Sequence, residues 1–118
     1  MSSHDEVIIL GASGHAKVVA SIAKSLGYSV VGFFDDNAAL HGNEFYGAVV
    51  RGGLEHAVDL YPSSTFVLAI GGNTIRKRLV SRYKKIRWLT AISPFAVVDH
   101  TAQIGRGTVI APGSIIQA

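Results

Sequence analysis

The sequence predicts an α/β fold, in which a parallel β-sheet with flanking helices precedes the start of a parallel β-helix. Short β-branched runs that stop at glycine-containing turns alternate with helical segments, as in βαβ units. From Thr90 onward, β-branched residues recur at every sixth position, a period that neither an α-helix nor an ordinary strand produces. The 118 residues are 48% hydrophobic and 16% charged, which is enough for one compact core.

The chain opens with a strand, a glycine turn and a helix. Residues 6–10 form a β-branched run that stops at Gly11, which is typical of a buried parallel strand. The apolar residues that follow have a spacing that stacks them on one side of a helix, which we expect to end at Gly27. These residues are Val18, Val19, Ile22, Ala23 and Leu26. Residues 28–34 are the second strand candidate.

The next elements continue the alternation and predict right-handed crossovers between parallel strands. We expect a loop at 37–46, a brief strand at 48–50, a short helix at 54–60, a strand at 65–70 and a helix from Asn73 or Thr74 to about Lys85. On this last helix the spacing predicts one buried side, made of Ile75, Leu79, Val80 and Tyr83.

The period of six predicts a chain that turns a corner after every six residues, with one side chain of each edge pointing into a narrow interior. The inward positions are Ile92, Val98, Ile104, Ile110 and Ile116, and a small residue precedes each by two places: Thr90, Ala96, Ala102, Thr108 and Ser114. Glycines at 105, 107 and 113 supply corner conformations. The alternative is a pair of β-hairpins with chance phasing.

Composition narrows the function classes. Cysteine is absent, which excludes disulfides, thiolate catalysis and cysteine-ligated metals, and the five histidines lack metal-site spacing, so we expect no metal. No apolar stretch approaches the ~20 residues of a membrane span, and the N-terminus lacks a secretory pattern, so we expect a cytoplasmic chain without a membrane partner. Seven of eleven basic residues lie in 76–87, which we interpret as a solvated helix face, without a nucleic-acid partner.

The glycine turn after the first strand has the chemistry of a phosphate site. It runs from Gly11 through Ser13 and Gly14, between a strand and a helix start, where backbone N–H groups and the helix dipole favour an anion. Ser13 occupies the position of the middle glycine in dinucleotide binders, which weakens an NAD interpretation. A uridine diphosphate tolerates Ser13, whose hydroxyl can donate to a phosphate. The alternative is a tight turn without a ligand.

Further site candidates follow the other strands. Asp35 and Asp36 come about twenty residues after the turn, where an acid commonly accepts a hydrogen bond from a ribose hydroxyl. The alternative is a solvated acid pair. The third wall of the crevice is formed by Gly71, Gly72 and Asn73, with Arg76 one helical turn further on and able to reach a phosphate or a hexose.

Four segments resemble a known family. GASGHAKVV at 11–19, FFDD at 33–36, AIGGNTIRKRL at 69–79 and the hexapeptide tail are similar to the sialic acid O-acetyltransferases and bacterial UDP-amino-sugar N-acetyltransferases. The resemblance implies a Rossmann-like domain at 1–89 that holds a UDP-sugar, then the first repeats of a left-handed β-helix at 90–118. It also implies that the family's β-helix trimerises and binds acetyl-CoA between subunits.

The resemblance further implies acetyl transfer from acetyl-CoA to an amino or hydroxyl group of an activated sugar, foremost a UDP-4-amino-sugar, with a histidine base. It places His15 beside the nucleotide-sugar and the acid pair beside the uridine. His100 lies too early in the repeats to match the base, and Ser93 stands where family members usually carry histidine before proline.

We therefore expect a chain that binds the nucleotide-sugar without catalysing, with the catalytic histidine beyond residue 118. The open end of the β-helix indicates a fragment, or a chain covered by another. A nicotinamide-dependent sugar oxidoreductase or epimerase and a non-catalytic nucleotide-sugar-binding module remain open as alternatives.

Overall fold

A six-stranded sheet forms the larger part of the structure, a computed structural model that describes residues 6–70, 73–83, 86–105 and 107–117, with Asn73 as backbone only. The strands are β1 Glu6–Leu10, β2 Ser29–Phe34, β3 Glu44–Phe45, β4 Ala48–Gly52, β5 Thr65–Leu68 and β6 Arg87–Trp88. Their order across the sheet is β3-β4-β2-β1-β5-β6, and every described pair except β3 with β4 is parallel. This confirms the predicted α/β class.

Helices cover both faces of the sheet. They are α1 Gly14–Ser25, α2 His56–Leu60 and α3 Asn73–Arg82. The α1 side chains Ala16, Val19 and Ala23 join one buried cluster with the β1 residues that alternate toward that face. On the other face, Leu79 of α3 and Ala57 of α2 pack with the remaining β1 residues. The core is thus two layers, one on each side of the central strands.

The C-terminal segment begins a parallel β-helix. Its strands are β7 Ala91–Ile92, β8 Val97–Val98, β9 Val109–Ile110 and β10 Ile115–Ile116. Ile92 pairs with Ile110 and Val98 pairs with Ile116, both in parallel and three six-residue repeats apart. Parallel partners at that separation describe one coil with three edges. Hairpins would pair antiparallel, so the hairpin alternative is wrong.

The coil rests on α1 and shares a core with the sheet. Leu89 and Ala91 are buried in the same cluster as Val19, and Val109 packs against it. On β8 and β10 the inward positions alternate with exposed neighbours: Val98 and Ile116 are half-buried, whereas Val97 and Ile115 are 63% and 67% exposed. On β7 the neighbour Ala91 is buried, because it packs in the cluster shared with the sheet. This alternation is what a period of six with one inward residue per edge requires.

The structure differs from the sequence predictions at several positions. The segment 37–46, expected as loop, includes β3, which forms a hairpin with β4 through Tyr46 and Gly47, both at positive φ. The sheet therefore carries one antiparallel edge strand.

Val80 is 44% exposed instead of lying on the buried side of α3. Val18 and Leu26, which were expected on the buried side of the first helix, are 40% and 39% exposed, because they lie away from the sheet-facing side of α1. The sixth strand, at Arg87–Trp88, went unpredicted because two residues carry no readable period.

Candidate functional site

The carboxyl ends of the three central strands meet at one edge of the sheet. Leu10 of β1 pairs with Phe34 of β2 on one side and with Leu68 of β5 on the other. Hydrogen bonds continue past the strands: Gly11 N–H donates to Phe34 O at 2.6 Å, and Ala69 N–H donates to Leu10 O at 2.9 Å. The loops that carry the sequence-predicted residues therefore leave the sheet side by side.

Gly11 makes the turn after β1 possible. Its φ is +123°, and a Cβ built there would lie 2.6 Å from Ala69 O, so neither the dihedral angle nor the space admits a side chain. Ser13 then precedes α1 in an extended conformation, and its side chain makes no capping bond. Ser13, Gly14 and His15 are exposed. The first N–H groups of a helix have no intrahelical partner, so this exposed start can bind an anion.

Asp35 and Asp36 connect three loops through hydrogen bonds to backbone N–H groups. Asp35 Oδ2 accepts from Ala12 N–H at 2.9 Å, and Asp35 Oδ1 accepts from Asn37 N–H at 2.9 Å. Asp36 Oδ1 accepts from Leu54 N–H at 3.0 Å, in the loop between β4 and α2. The interpretation of both residues as solvated acids is therefore incomplete, because each carboxylate holds a backbone amide of another segment.

A cleft of about 870 Å³ opens beside this edge, between α3 and the first coil of the β-helix. Its basic rim contains His15, Arg76 and Lys77, and its apolar lining comprises Leu68, Ile70, Val80, Trp88 and Val109. Gly107 and Thr108 of the coil complete the lining together with Ser81. The exposure of Val80 follows from its place in this wall. The Nε1 of Trp88, a buried residue, has no hydrogen-bond partner among the described residues.

The structure brings some of the predicted residues together. His15 and Arg76, sixty-one positions apart in sequence, line the same cleft. Gly71 and Gly72 lie outside the described residues, and Asn73 is the first residue of α3. His100 stands apart on a corner of the coil, with its side chain 92% exposed and Nδ1 3.9 Å from Asp99 Oδ1.

Several lining residues were missed by sequence reasoning. Lys77 and Val80 belong to segments that the sequence assigned to a solvated face and to the core, and Trp88 lies on the unpredicted β6. Lys77, Val80 and Trp88 all line the cleft together with Gly107 and Thr108 of the coil. The sequence could not show this, because it depends on how the coil packs against the sheet. In the described part of the chain, no group of three or more histidines and acids is placed to hold a metal ion.

Comparison with known proteins identifies the family. The model of the PglD N-terminal domain matches residues 6–83. The chain belongs to this family. It is 35% identical over 109 residues to the UDP-N-acetylbacillosamine N-acetyltransferase of Bacillus subtilis, covering 88% of this chain and 50% of that protein. The family resemblance inferred from the motifs is thereby confirmed.

Solved structures of N-acetyltransferases are similar to this chain in fold. A point mutant of the perosamine N-acetyltransferase of Caulobacter crescentus, determined with CoA and GDP-perosamine, matches with a TM-score of 0.83 and 29% identity over 96% of this chain and 54% of that one. The acetyltransferase domain of PglB from Neisseria gonorrhoeae, determined with acetyl coenzyme A, matches with a TM-score of 0.82 and 30% identity over 95% and 55%. The chain spans about half the length of these relatives.

Proposed function

We propose that this chain is the nucleotide-sugar-binding part of an acetyl-CoA-dependent sugar N-acetyltransferase. Its substrate is a UDP-linked amino sugar, held by residues 1–89, and residues 90–118 begin a left-handed β-helix. The observation that carries the proposal is the convergence of His15 and Arg76 on one cleft beside the exposed start of α1. The acetyltransferase relatives, two of which bind CoA or acetyl-CoA and one GDP-perosamine, support it.

The edge of the sheet offers each part of the ligand a matching surface. The diphosphate takes the backbone N–H groups of Ser13, Gly14 and His15, where the helix dipole adds partial positive charge. Arg76 of α3 supplies a permanent cation from the lining of the same cleft. The mixed apolar and polar lining beyond it suits a hexose, which has both CH and hydroxyl faces. The nucleoside lies toward Asp36, on the β2 side of the turn.

Acetyl transfer forms an amide bond between the sugar nitrogen and the acetyl carbon, and it releases the CoA thiol. A base must take the proton that the attacking amine loses. His100 does not supply it in this proposal, because its ring is exposed on a corner and does not line the cleft. Within the described residues, the chain's part is to bind and orient the activated sugar.

A second copy of the chain covers the exposed face of the coil in this proposal. Val97 and Ile115 are adjacent partners on that face, both largely exposed, and Phe95 nearby is 74% exposed. Apolar side chains grouped in this way are typical of interaction surfaces. They support a homotrimer built through the β-helix. A cytoplasmic location completes the proposal, and none of the described helices is both long and apolar enough to span a bilayer.

Calorimetric titration of the whole chain with UDP, a UDP-amino-sugar and NAD tests the proposal. We expect binding of UDP, tighter binding of the UDP-sugar and no binding of NAD. Arg76→Ala removes one phosphate contact and should weaken UDP binding by about tenfold or more, since charged hydrogen bonds contribute about 1.5–3 kcal/mol. Arg78→Ala is the matched control, because Arg78 is exposed on the same helix outside the cleft lining. Binding of NAD without a response to UDP would instead favour an oxidoreductase.

A further inference from the structure

Trp88 carries a buried polar group that the fold itself leaves without a partner. The residue is 7% exposed, and in the described part of the chain no atom accepts a hydrogen bond from its indole Nε1. The indole N–H can only donate, so its burial without an acceptor destabilises the folded chain. Nearly all buried polar groups in native proteins have a partner. The indole N–H therefore indicates an acceptor that comes from outside the described residues.

The core side of the indole offers no side-chain acceptor. Trp88 of β6 pairs with Phe66 of β5, and the two rings meet edge to face with their centroids 6.4 Å apart. The other buried side chains of this cluster, Leu79 of α3 among them, are all apolar. The side of Trp88 that can meet a polar partner is the cleft, which the residue lines.

The first coil holds the Trp88 side chain in place. A Cβ built at Gly107 would lie 3.5 Å from Trp88 Cβ and 3.9 Å from its Cγ, so the coil backbone approaches the base of the indole closely. Gly107 N–H also donates to Thr90 Oγ1 at 3.0 Å, which ties this corner of the coil to the chain two residues after Trp88. The indole is thus packed between the Phe66 ring and the coil. A donor that is already held in position loses little conformational freedom when an acceptor binds.

The surroundings of Trp88 favour a neutral acceptor over a charged one. Leu68 belongs to the same buried cluster as Trp88, and Ile70 packs against that cluster. Both also line the cleft. A phosphate oxygen beside these side chains would lose its hydration at a high cost in free energy, whereas a hydroxyl or carbonyl oxygen loses less and gains the N–H. The CH groups of a hexose suit the apolar side chains next to it.

We propose that Trp88 is a specificity-determining residue, whose indole N–H donates to a neutral oxygen of the hexose, either a hydroxyl or the carbonyl of an acylamino group. This inference rests on the proposed function, because it assigns one contact to the sugar part of that ligand. The rim side chains Lys77 and Val80 are exposed and rotate to admit the sugar, as side chains at binding surfaces commonly do. The contact adds affinity for the sugar and none for the nucleotide.

The test is titration of the whole chain with UDP, UDP-glucose and UDP-N-acetylglucosamine. Trp88→Phe keeps an aromatic ring and removes the N–H. It should weaken UDP-sugar binding about fivefold, the size of one neutral hydrogen bond, and leave UDP binding unchanged. A loss with both sugars identifies a hydroxyl that they share as the acceptor. A loss with UDP-N-acetylglucosamine alone identifies the acetamido carbonyl, and a loss with UDP-glucose alone identifies its C2 hydroxyl.

Tyr61→Phe is the matched control. Tyr61 is a half-buried aromatic residue that packs against the same cluster as Trp88 but does not line the cleft, and the substitution removes its one polar group. It should leave the affinities for all three nucleotides unchanged.

The indole proton provides a second measurement that needs no substitution. The chain has one tryptophan, so its indole N–H gives a single NMR signal. Saturation with a UDP-sugar should move this signal downfield, because the proton gains an acceptor, and UDP alone should leave it in place. This measurement decides the matter if Trp88→Phe fails to fold.

Two results would overturn the role of Trp88 while leaving the nucleotide site in place. One is an indole signal that does not move at saturation with either UDP-sugar. The other is a folded Trp88→Phe variant that binds both UDP-sugars as tightly as the unmodified chain; a bound water would then be the partner of the N–H. Failure of the unmodified chain to bind UDP would instead refute the proposed function itself.

Discussion

Replacement of Gly11 by alanine is the most informative single perturbation of the sheet edge. Gly11 has a φ of +123°, and the added Cβ would lie 2.6 Å from Ala69 O and 3.0 Å from Ala69 C. Both obstacles are backbone atoms, which cannot rotate out of the way as a flexible side chain would. The turn and the end of β5 must therefore move apart.

The loss of folding stability caused by Gly11→Ala has two contributions. A non-glycine residue in such a backbone region costs about 1–3 kcal/mol. Separation of the loops also weakens the bonds from Gly11 N–H to Phe34 O and from Ala69 N–H to Leu10 O, each of which stabilises by about 1 kcal/mol. We expect a loss of about 3 kcal/mol, which lowers the melting temperature of a domain of this size by about 12 °C.

Thermal unfolding measures this loss, with Gly27→Ala as the control. Gly27 also has positive φ, +90°, but a Cβ there meets nothing within 4 Å. The control should lose only about 1 kcal/mol, from the dihedral angle alone, and should bind UDP normally. Gly11→Ala should in addition bind UDP more weakly, because the turn is displaced. Equal losses in the two variants would refute the argument that close approach to Ala69 makes Gly11 necessary.

Two other predictions concern the coil. The Thr101 hydroxyl, and after it the Thr101 backbone N–H, lower the pKa of the Asp99 carboxyl below its ordinary value. A lowered folded-state pKa means that Asp99 stabilises the chain above the unfolded-state pKa, and that this is lost as pH falls through the folded-state pKa. The melting temperatures of the unmodified chain and Asp99→Ala should thus differ at pH 7 and converge in acid; a constant gap would contradict this. Val97→Lys should abolish self-association in sedimentation without lowering stability by more than about 0.5 kcal/mol. The control Val49→Lys, at an exposed position of β4, should still associate; association of Val97→Lys would disprove the proposed interface.

Much of the fold could be predicted because its local patterns agree with its packing. The β-branched run of β1, the glycine after it and the helical spacing of α1 all specify one βα unit, and the period of six specifies the coil. The β3 strand could not be predicted, because its turn uses Tyr46 at a φ of +47°, a conformation uncommon for a side chain of that kind. A strand of two residues, such as β3 or β6, is too short to show a pattern in the sequence and is defined only by its hydrogen bonds to the neighbouring strand.

The candidate site was predictable in its residue types and less so in their roles. The sequence placed Asp35 at the correct strand end, but the bond from Ala12 to Asp35 spans 23 positions and leaves no local pattern. Likewise, Trp88 and Thr108 meet across the cleft only because the coil packs on α1. Contacts between distant segments depend on the assembled fold and not on spacing along the chain.

The most direct test of the nucleotide site is an amide chemical-shift map of the chain titrated with UDP. We expect large, saturable shifts at Ala12, Ser13, Gly14 and His15 and at Asp36. We expect no shift at the far end of α1, where Ser25 ends the helix. Shifts confined to the far end of α1 or to the coil, or no saturable shift at millimolar UDP, would contradict the proposal that the carboxyl edge of the sheet binds the nucleotide.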